Sequence, residues 1–262
     1  MRAGSLRVWL VLLPVIAITL VGIPLQWASV ALGLPTRRTI PLLYHRIVLA
    51  LVGVRVRVVG APSPARPLLI VANHVSWLDI AVLGARLPLC FVAKAEVARW
   101  PGVGLLAKLQ RTIFVDRTSR SATGKVAREM AARMNDGDPV VLFAEGTSSD
   151  GNRVLAFRSA LIGAARQAMG EDGAGAAIQP LAIAYVGQNG LPLGRVGRPR
   201  VAWYGDMDLA PHLLEVLRRG AVDVELHFGT PLDGANRKAA TQRAEQAART
   251  MLAGALTGRA RD

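Results

Sequence analysis

A single cysteine in 262 residues leaves no partner for an internal disulfide. The chain must be held by its own core and fits a reducing compartment. Cys90 lies inside the apolar string LCFVA and reads as a small buried hydrophobe, not a nucleophile. Acidic residues are also scarce, 18 against 32 Lys and Arg, for a formal net charge of +14. That imbalance calls for an anionic partner. Aromatic residues make up 5% of the chain and are not interleaved with the basic ones. With no zinc-finger spacing and no ribonucleoprotein motif, a nucleic-acid partner is not expected. No G-x-S-x-G elbow occurs, which argues against a serine hydrolase built on Ser148 or Ser149. His45, His74, His212 and His227 fall at no metal-ligand spacing, so no metal site is expected. No internal repeat is visible.

What the chain has in excess is apolar surface, 52% of residues with a mean hydropathy of +0.32. Much of it is concentrated in the 27 residues from Val8 to Leu34, which hold no Asp, Glu, Lys or Arg. As a straight helix this run would be roughly 40 Å long, enough to cross a bilayer. Pro14 and Pro24 disfavour an unbroken helix. Arg2 and Arg7 precede the run and Arg37 and Arg38 follow it, so the flanks give no orientation vote. A shallow bent hairpin inserted from one side, with both basic flanks on the same face, explains them best. A single spanning helix is the second reading. A cleaved signal peptide is the third, although the run is long for one and no small-x-small site ends it.

After this anchor, residues 37–53 read as a second, amphipathic helix with His45 and Arg46 on its polar side. VRVRVV (54–59) alternates as a half-buried strand. The stiff turn APSPARP (61–67) separates it from the core. Strands are then expected at 68–72, 89–93, 112–115, 140–143, 178–185 and 222–228. Helices are expected at 77–86, 103–109, 121–135, 158–169 and 209–218, and a closing helix at 236–256. The alternation predicts an α/β fold, a mixed sheet flanked by helices. Residues 1–53 would be the anchoring helices and 54–262 the α/β domain. GVGLLA (102–107) imitates a dinucleotide fingerprint but does not directly follow a strand, so its glycines read as packing residues.

NHVSWLDI (73–80) directly follows the strand LLIVA, at the sheet edge where ligands gather in doubly wound folds. S-x-x-D makes Ser76 the helix cap and Asp79 a first-turn residue, with His74 on the loop before it. The loop can fold the imidazole over the first turn, where the carboxylate accepts a ring N–H and leaves the other nitrogen free to take a proton. VVLFAEGTSSDGNR (140–153) brings Glu145-Gly146-Thr147 to the same edge. By itself this segment equally fits a strand-to-turn exit with solvated groups. Lys94 ends FVAKAEV and Arg117 ends RTIFVDR, so two cations and two acids each follow an apolar strand.

NHVSWLD, FVAKAEV with RTIFVDR, FAEGTSS and IQPLAIAY (178–185) resemble, in order and approximate spacing, the four motifs of the lysophospholipid acyltransferases, which include 1-acyl-glycerol-3-phosphate acyltransferase. The resemblance covers about residues 42–232. It implies the glycerolipid acyltransferase fold with an N-terminal membrane-embedded helical pair. It also implies acyl transfer from acyl-carrier protein or coenzyme A to a lysolipid hydroxyl, with no other cofactor. The active site would then face the cytoplasm at the inner membrane. By the same resemblance His74 is the general base, Asp79 its orienting partner, and Glu145, Gly146 and Thr147 the acceptor-binding motif. Lys94 and Arg117 would contact the headgroup, and Pro180 matches the proline of the last motif. Where the family pattern reads F-P-E-G-T-R-S, this chain has Ala144 and Ser148. Losing that arginine removes a natural phosphate partner. SSDGNRVLAFRSAL is more similar to the lyso-ornithine lipid acyltransferases, whose acceptor is zwitterionic, unless Arg153 or Arg158 supplies the missing cation. Phosphatidic acid synthesis is the alternative. A non-catalytic basic membrane-binding protein is a more distant one, since it leaves the four ordered motifs unexplained. Backbone N–H groups near the Ser76 helix start are expected to help hold the oxyanion.

Overall fold

The computed structural model describes residues 3–116, 122–160, 162–163, 177–232 and 237–258. Arg117, most of the expected helix 158–169 and the loop 170–176 lie outside the described residues. The apolar runs become strands β1 (Val54–Val59), β2 (Leu68–Ala72), β3 (Cys90–Lys94), β4 (Ile113–Val115), β5 (Val140–Phe143), β6 (Ala177–Gln188), β7 (Leu191–Pro192) and β8 (Val222–Phe228). They form a sheet in the order β1-β8-β6-β2-β5-β3-β4, with β7 antiparallel on β6. Only β6 with β8 is antiparallel among the remaining pairs, so the sheet is mixed.

β2 and β5 are buried at every position because helices cover both faces. Leu68, Ile70, Val141 and Phe143 point to one face, under α1 (Ala3–Ala31), α2 (Thr36–Val52), α3 (Leu78–Gly84) and the helix Leu209–Arg219. Leu69, Val71, Val140 and Leu142 point to the other, under α5 (Ala122–Asn135) and the closing helix Arg237–Thr257. Cys90 sits in this second layer, and burial pushes its thiol up to about 11. Gly104 of GVGLLA lies where a Cβ would come within 2.4 Å of the Ala98 carbonyl oxygen, so it is a packing residue.

β1 departs from the expectation that the APSPARP turn sets it apart. It is an edge strand of the same sheet, parallel to β8, with Arg55 Nε 2.6 Å from Asp223 Oδ1. Its partner lies some 168 residues along the chain, where no local pattern could announce it.

The apolar run also differs from the bent hairpin read from its prolines. α1 is one helix of 29 residues with Pro14 and Pro24 inside it. Each proline removes only one donor, and in apolar surroundings a helix is the conformation that satisfies the rest of the backbone within itself. The reversal comes later, at Gly33 (φ 65°), and α2 returns antiparallel to α1. The pairing is fixed by Ser29 Oγ to Thr36 Oγ1 at 2.6 Å, Gln26 Nε2 to Arg37 O at 3.0 Å and Thr19 Oγ1 to Tyr44 Oη at 2.9 Å. The basic flanks therefore sit at opposite ends of α1, and each is tied down. Arg7 donates to Leu217 O and Val52 O, both at 2.7 Å. At the other end Arg38 and Arg111 converge on Asp138. α1 thus lies along the domain, with Trp9, Leu10, Leu13, Leu20 and Trp27 exposed on its outer side.

α4 (Val103–Leu109) joins β3 to β4 and closes the space beneath α1. His45, read as part of a polar face, is instead turned inward against α3, where only a glycine fits. A Cβ on Gly84 would lie 2.4 Å from His45 Cδ2. The Asp138 junction carries a clear expectation. Arg111 is 9% exposed, and Asp138→Ala would leave its guanidinium buried without its main counter-charge. Unfolding by denaturant should show a loss of about 3 kcal/mol, with the midpoint lowered accordingly.

Candidate active site

The loop after β2 is built by one carboxylate. Asp79, fully buried in the first turn of α3, accepts at Oδ2 from His74 Nδ1 at 2.8 Å, Val75 N–H at 2.8 Å and Ser76 N–H at 3.0 Å. Its Oδ1 accepts from the Tyr185 hydroxyl at 2.7 Å. Four donors offset the cost of burying the charge. A carboxylate already accepting two backbone N–H groups can only accept a third time, so the imidazole carries its proton on Nδ1. Nε2 is then the basic nitrogen. Burial and the Asp79 charge hold the Tyr185 phenol well above its usual range, so it stays a donor.

One expectation about this helix start is corrected, and a second is narrowed to the N–H groups beyond Ser76. Ser76 does not cap the helix through its hydroxyl. The first residue before the helix is Trp77, which makes no side-chain cap bond, and Asp79 caps the turn by reaching back instead. The backbone N–H groups of Val75 and Ser76 are therefore already held by Asp79 and are not available to an oxyanion.

β5 lies beside β2 in register, Ala72 opposite Phe143, and its following turn clamps the same loop. Glu145 Oε2 accepts the His74 N–H at 3.0 Å, and Ser149 N–H donates to His74 O at 2.9 Å. The imidazole stacks on Phe143 with centroids 4.1 Å apart. Asn73, also fully buried, fixes the loop's other side, exchanging two bonds with the Ile183 backbone at 2.8 and 3.1 Å. His74 is thus held by its ring, its N–H and its carbonyl.

The residues named from sequence separate at this point. His74, Lys94, Gly146, Thr147 and Ser148 all line one cavity of about 880 Å³, whose walls come from α1, α2, α4 and the sheet face. Gly146 turns the chain at φ 71°, a left-handed conformation that favours glycine. Ser148 Oγ donates to Trp203 O at 2.5 Å, and Ser149 Oγ lies 3.4 Å from His74 O, so both hydroxyls are engaged with backbone. Lys94 is half exposed and 3.5 Å from Glu96. Glu145 does not face the cavity. It is 2% exposed, and its Oε1 accepts the Leu155 N–H at 2.7 Å, so both oxygens hold backbone. Arg158 donates to Glu145 O at 3.2 Å, and neither it nor Arg153 lines the cavity. Pro180 lies within β6 opposite Val71, inside the sheet. Sequence reasoning missed Tyr185 and Trp203. The first ended the IQPLAIAY match without a role; the second packs edge-on against Trp100 at 5.9 Å, beside Ser148. Neither had a local signal.

Burial pushes the Glu145 carboxyl up from 4.5 to about 8, against the pull of its two backbone donors. The folded protein therefore binds more protons than the unfolded chain between those values. The stability this group contributes is full below pH 4.5 and is lost as pH rises towards 8. In Glu145→Gln that component should vanish. Denaturant unfolding of both proteins across the window checks it, and parallel pH profiles would show that Glu145 does not titrate there.

Comparison with known proteins identifies the family and the fold. A family model described as Acyltransferase matches residues 55–184. The chain is 47% identical to a lyso-ornithine lipid O-acyltransferase of Brucella abortus, over 98% of this chain and 97% of that one. It is 31% identical to a 1-acyl-sn-glycerol-3-phosphate acyltransferase of Neisseria gonorrhoeae, over 74% of each. In fold it matches the crystal structure of the 1-acyl-sn-glycerophosphate acyltransferase PlsC from Thermotoga maritima. The TM-score is 0.64 over 95% of this chain and 96% of that one, at 20% identity.

Proposed function

The chain belongs to the lysolipid acyltransferase family, and from that premise we propose that it transfers a fatty acyl group from a thioester to the hydroxyl of lyso-ornithine lipid. The observation that carries this reading is the His74–Asp79 pair, whose histidine lies on the lining of a large and mostly apolar cavity. His74 Nε2 removes the proton from the acceptor hydroxyl as its oxygen attacks the thioester carbonyl. The carbon–sulfur bond then breaks, and the imidazolium returns the proton to the leaving thiolate. Asp79 stabilises that imidazolium and holds its orientation. The acyl group passes directly between substrates, so no acyl-enzyme forms. Engagement of Ser148 and Ser149 with backbone supports this over a serine nucleophile. Acyl-carrier protein or coenzyme A would carry the thioester, and the basic surface suits either.

The acceptor is argued from charge. Although the chain carries +14, the cavity lining among the described residues holds Lys94, Glu96 and Asp206 but no arginine. A phosphate headgroup would want bidentate cations there. A headgroup with both an ammonium and a carboxylate fits a lining of both signs. The exposed apolar side of α1, with both its ends strapped to the domain, supports insertion in the plane of the inner membrane from its cytoplasmic face.

His74→Ala should lower turnover by on the order of a hundredfold to ten-thousandfold, while the protein still folds and sediments with membranes. Near-normal turnover in a radiolabelled acyl-transfer assay would sink the base assignment. Given lyso-ornithine lipid and lysophosphatidic acid in competition, the purified enzyme should consume the aminolipid first. A clear preference for the phosphate acceptor would point to phosphatidic acid synthesis instead.

A further inference from the structure

Lys94, Glu96 and Asp206, the charged groups of the cavity lining among the described residues, are all exposed. They sit on two short segments, 94–100 and 203–207. Each segment also contributes one indole to the lining, Trp100 and Trp203. The two rings meet edge to face, with centroids 5.9 Å apart and planes at 87°. That contact joins the segments. Trp203 is in turn built into the loops around His74. Its N–H donates to Val75 O at 2.9 Å, and its carbonyl accepts from Ser148 Oγ at 2.5 Å. The indole pair is therefore tied to the residue after His74 on one side and to the Gly146–Ser148 turn on the other.

The charges at this end of the lining do not balance. Lys94 Nζ lies 3.5 Å from Glu96 Oε1, whereas Asp206 makes no ion pair or hydrogen bond among the described residues. One lysine against two acids leaves an excess of negative charge, in a chain that carries +14. The turn that presents Asp206 passes through Gly205 at φ 64° and is closed by Trp203 Nε1 donating to Met207 O at 2.8 Å. With its N–H used there, Trp203 offers a ligand only π surface. Planes at right angles cannot cover one another, so two half-buried rings on the lining form a corner. Indole faces are electron-rich and attract a cation within about 6 Å of the ring centre. For the same reason they disfavour a phosphate. An indole serving only as an interfacial anchor would face outward, as Trp9 and Trp27 do at 53% and 65% exposure.

We propose that Trp100, Trp203 and Asp206 determine acceptor specificity, as an aromatic and acidic corner that holds the side-chain ammonium of the headgroup. Lys94 then meets the headgroup carboxylate. This rests on the reading of the acceptor as a zwitterionic aminolipid, and adds which of its charges is read and by which residues. A primary ammonium donates to the Asp206 carboxylate while the ring faces take up the rest of its charge. A headgroup without the amine forfeits that attraction. A phosphate headgroup is repelled by Asp206 and by both ring faces, so the corner ranks acceptors as ammonium, then amine-free, then phosphate.

The experiment offers the full-length protein in detergent three acceptors of matched chain length with one thioester donor. They are lyso-ornithine lipid, its norvaline analogue, which keeps the carboxylate and side-chain carbons but lacks the amine, and lysophosphatidic acid. The wild type should use the ornithine lipid about tenfold better than the norvaline lipid in kcat/KM, with most of the difference in KM. Trp100→Leu, Trp203→Leu and Asp206→Asn should each lower that ratio about threefold, and Trp100→Phe should keep most of it. The ratio is taken within each protein, so a general loss of stability or of membrane binding cancels. Equal use of the two aminolipids by the wild type, both ahead of lysophosphatidic acid, would overturn the corner and leave the acyltransferase reading standing. A tenfold ratio that none of the substitutions moves would overturn it too, since the ammonium would then be read elsewhere. Transfer to lysophosphatidic acid with neither aminolipid used would remove the acceptor reading, and this site with it.

Discussion

The Asp79 carboxylate is the constraint on which the site depends. It has no exposure to solvent, yet it accepts from a ring nitrogen, two peptide N–H groups and a phenol. Those four donors come from two separate parts of the chain, so the charge can be buried only when β2, its loop and β6 are all in place. The same bonds that make the burial tolerable also fix the tautomer and direction of His74. Folding and orientation of the imidazole are therefore one event, and an uncapped α3 would also leave that ring undirected.

A second constraint comes from the neighbouring strand. Because β5 runs parallel to β2 with Phe143 opposite Ala72, its exit turn meets the His74 loop edge to edge. Glu145 holds the His74 N–H and Ser149 its carbonyl. Glu145 is therefore a positioning residue by geometry. Its neighbours Gly146 to Ser148 are the part of the motif that faces the cavity. Ser148 binds the Trp203 backbone, which shows how the loop is satisfied without the arginine found in the wider family's pattern. The lining carries both signs of charge, Lys94 with Glu96 and Asp206, and on the proposed reading this favours a zwitterionic acceptor.

Much of this was legible in the sequence because it is local. His74 and Asp79 are five positions apart on a strand–loop–helix junction, and β2, β5 and β8 begin and end where their apolar runs do. What stayed hidden needed register. Tyr185 reaches Asp79 from 106 positions away, and only the pairing of β6 with β2 brings it there. The inward turn of Glu145 depends on β5 lying beside β2, so a strand-end acid looked like a substrate contact. Pro14 and Pro24 misled for a different reason. Helix-breaking rules weigh proline against a hydrated alternative, and an apolar run has none.

α1 has to serve two surfaces at once, and this explains its odd composition. Its outer residues are large and exposed, while Val15, Thr19, Gly22 and Gln26 face the cavity. A helix acting only as an anchor would have no use for Thr19 or Gln26 in the middle of an apolar run. A helix acting only as a wall would not expose Trp9 and Trp27 on its far side. With both ends strapped to the domain, α1 cannot swing away without breaking the Arg7 and Gln26 bonds, so the cavity keeps its wall while that helix is docked. On the proposed reading the bilayer lies against one side of this helix and the acyl chain against the other. An acyl chain then crosses from lipid to catalytic site past a single layer of side chains, and need never enter water.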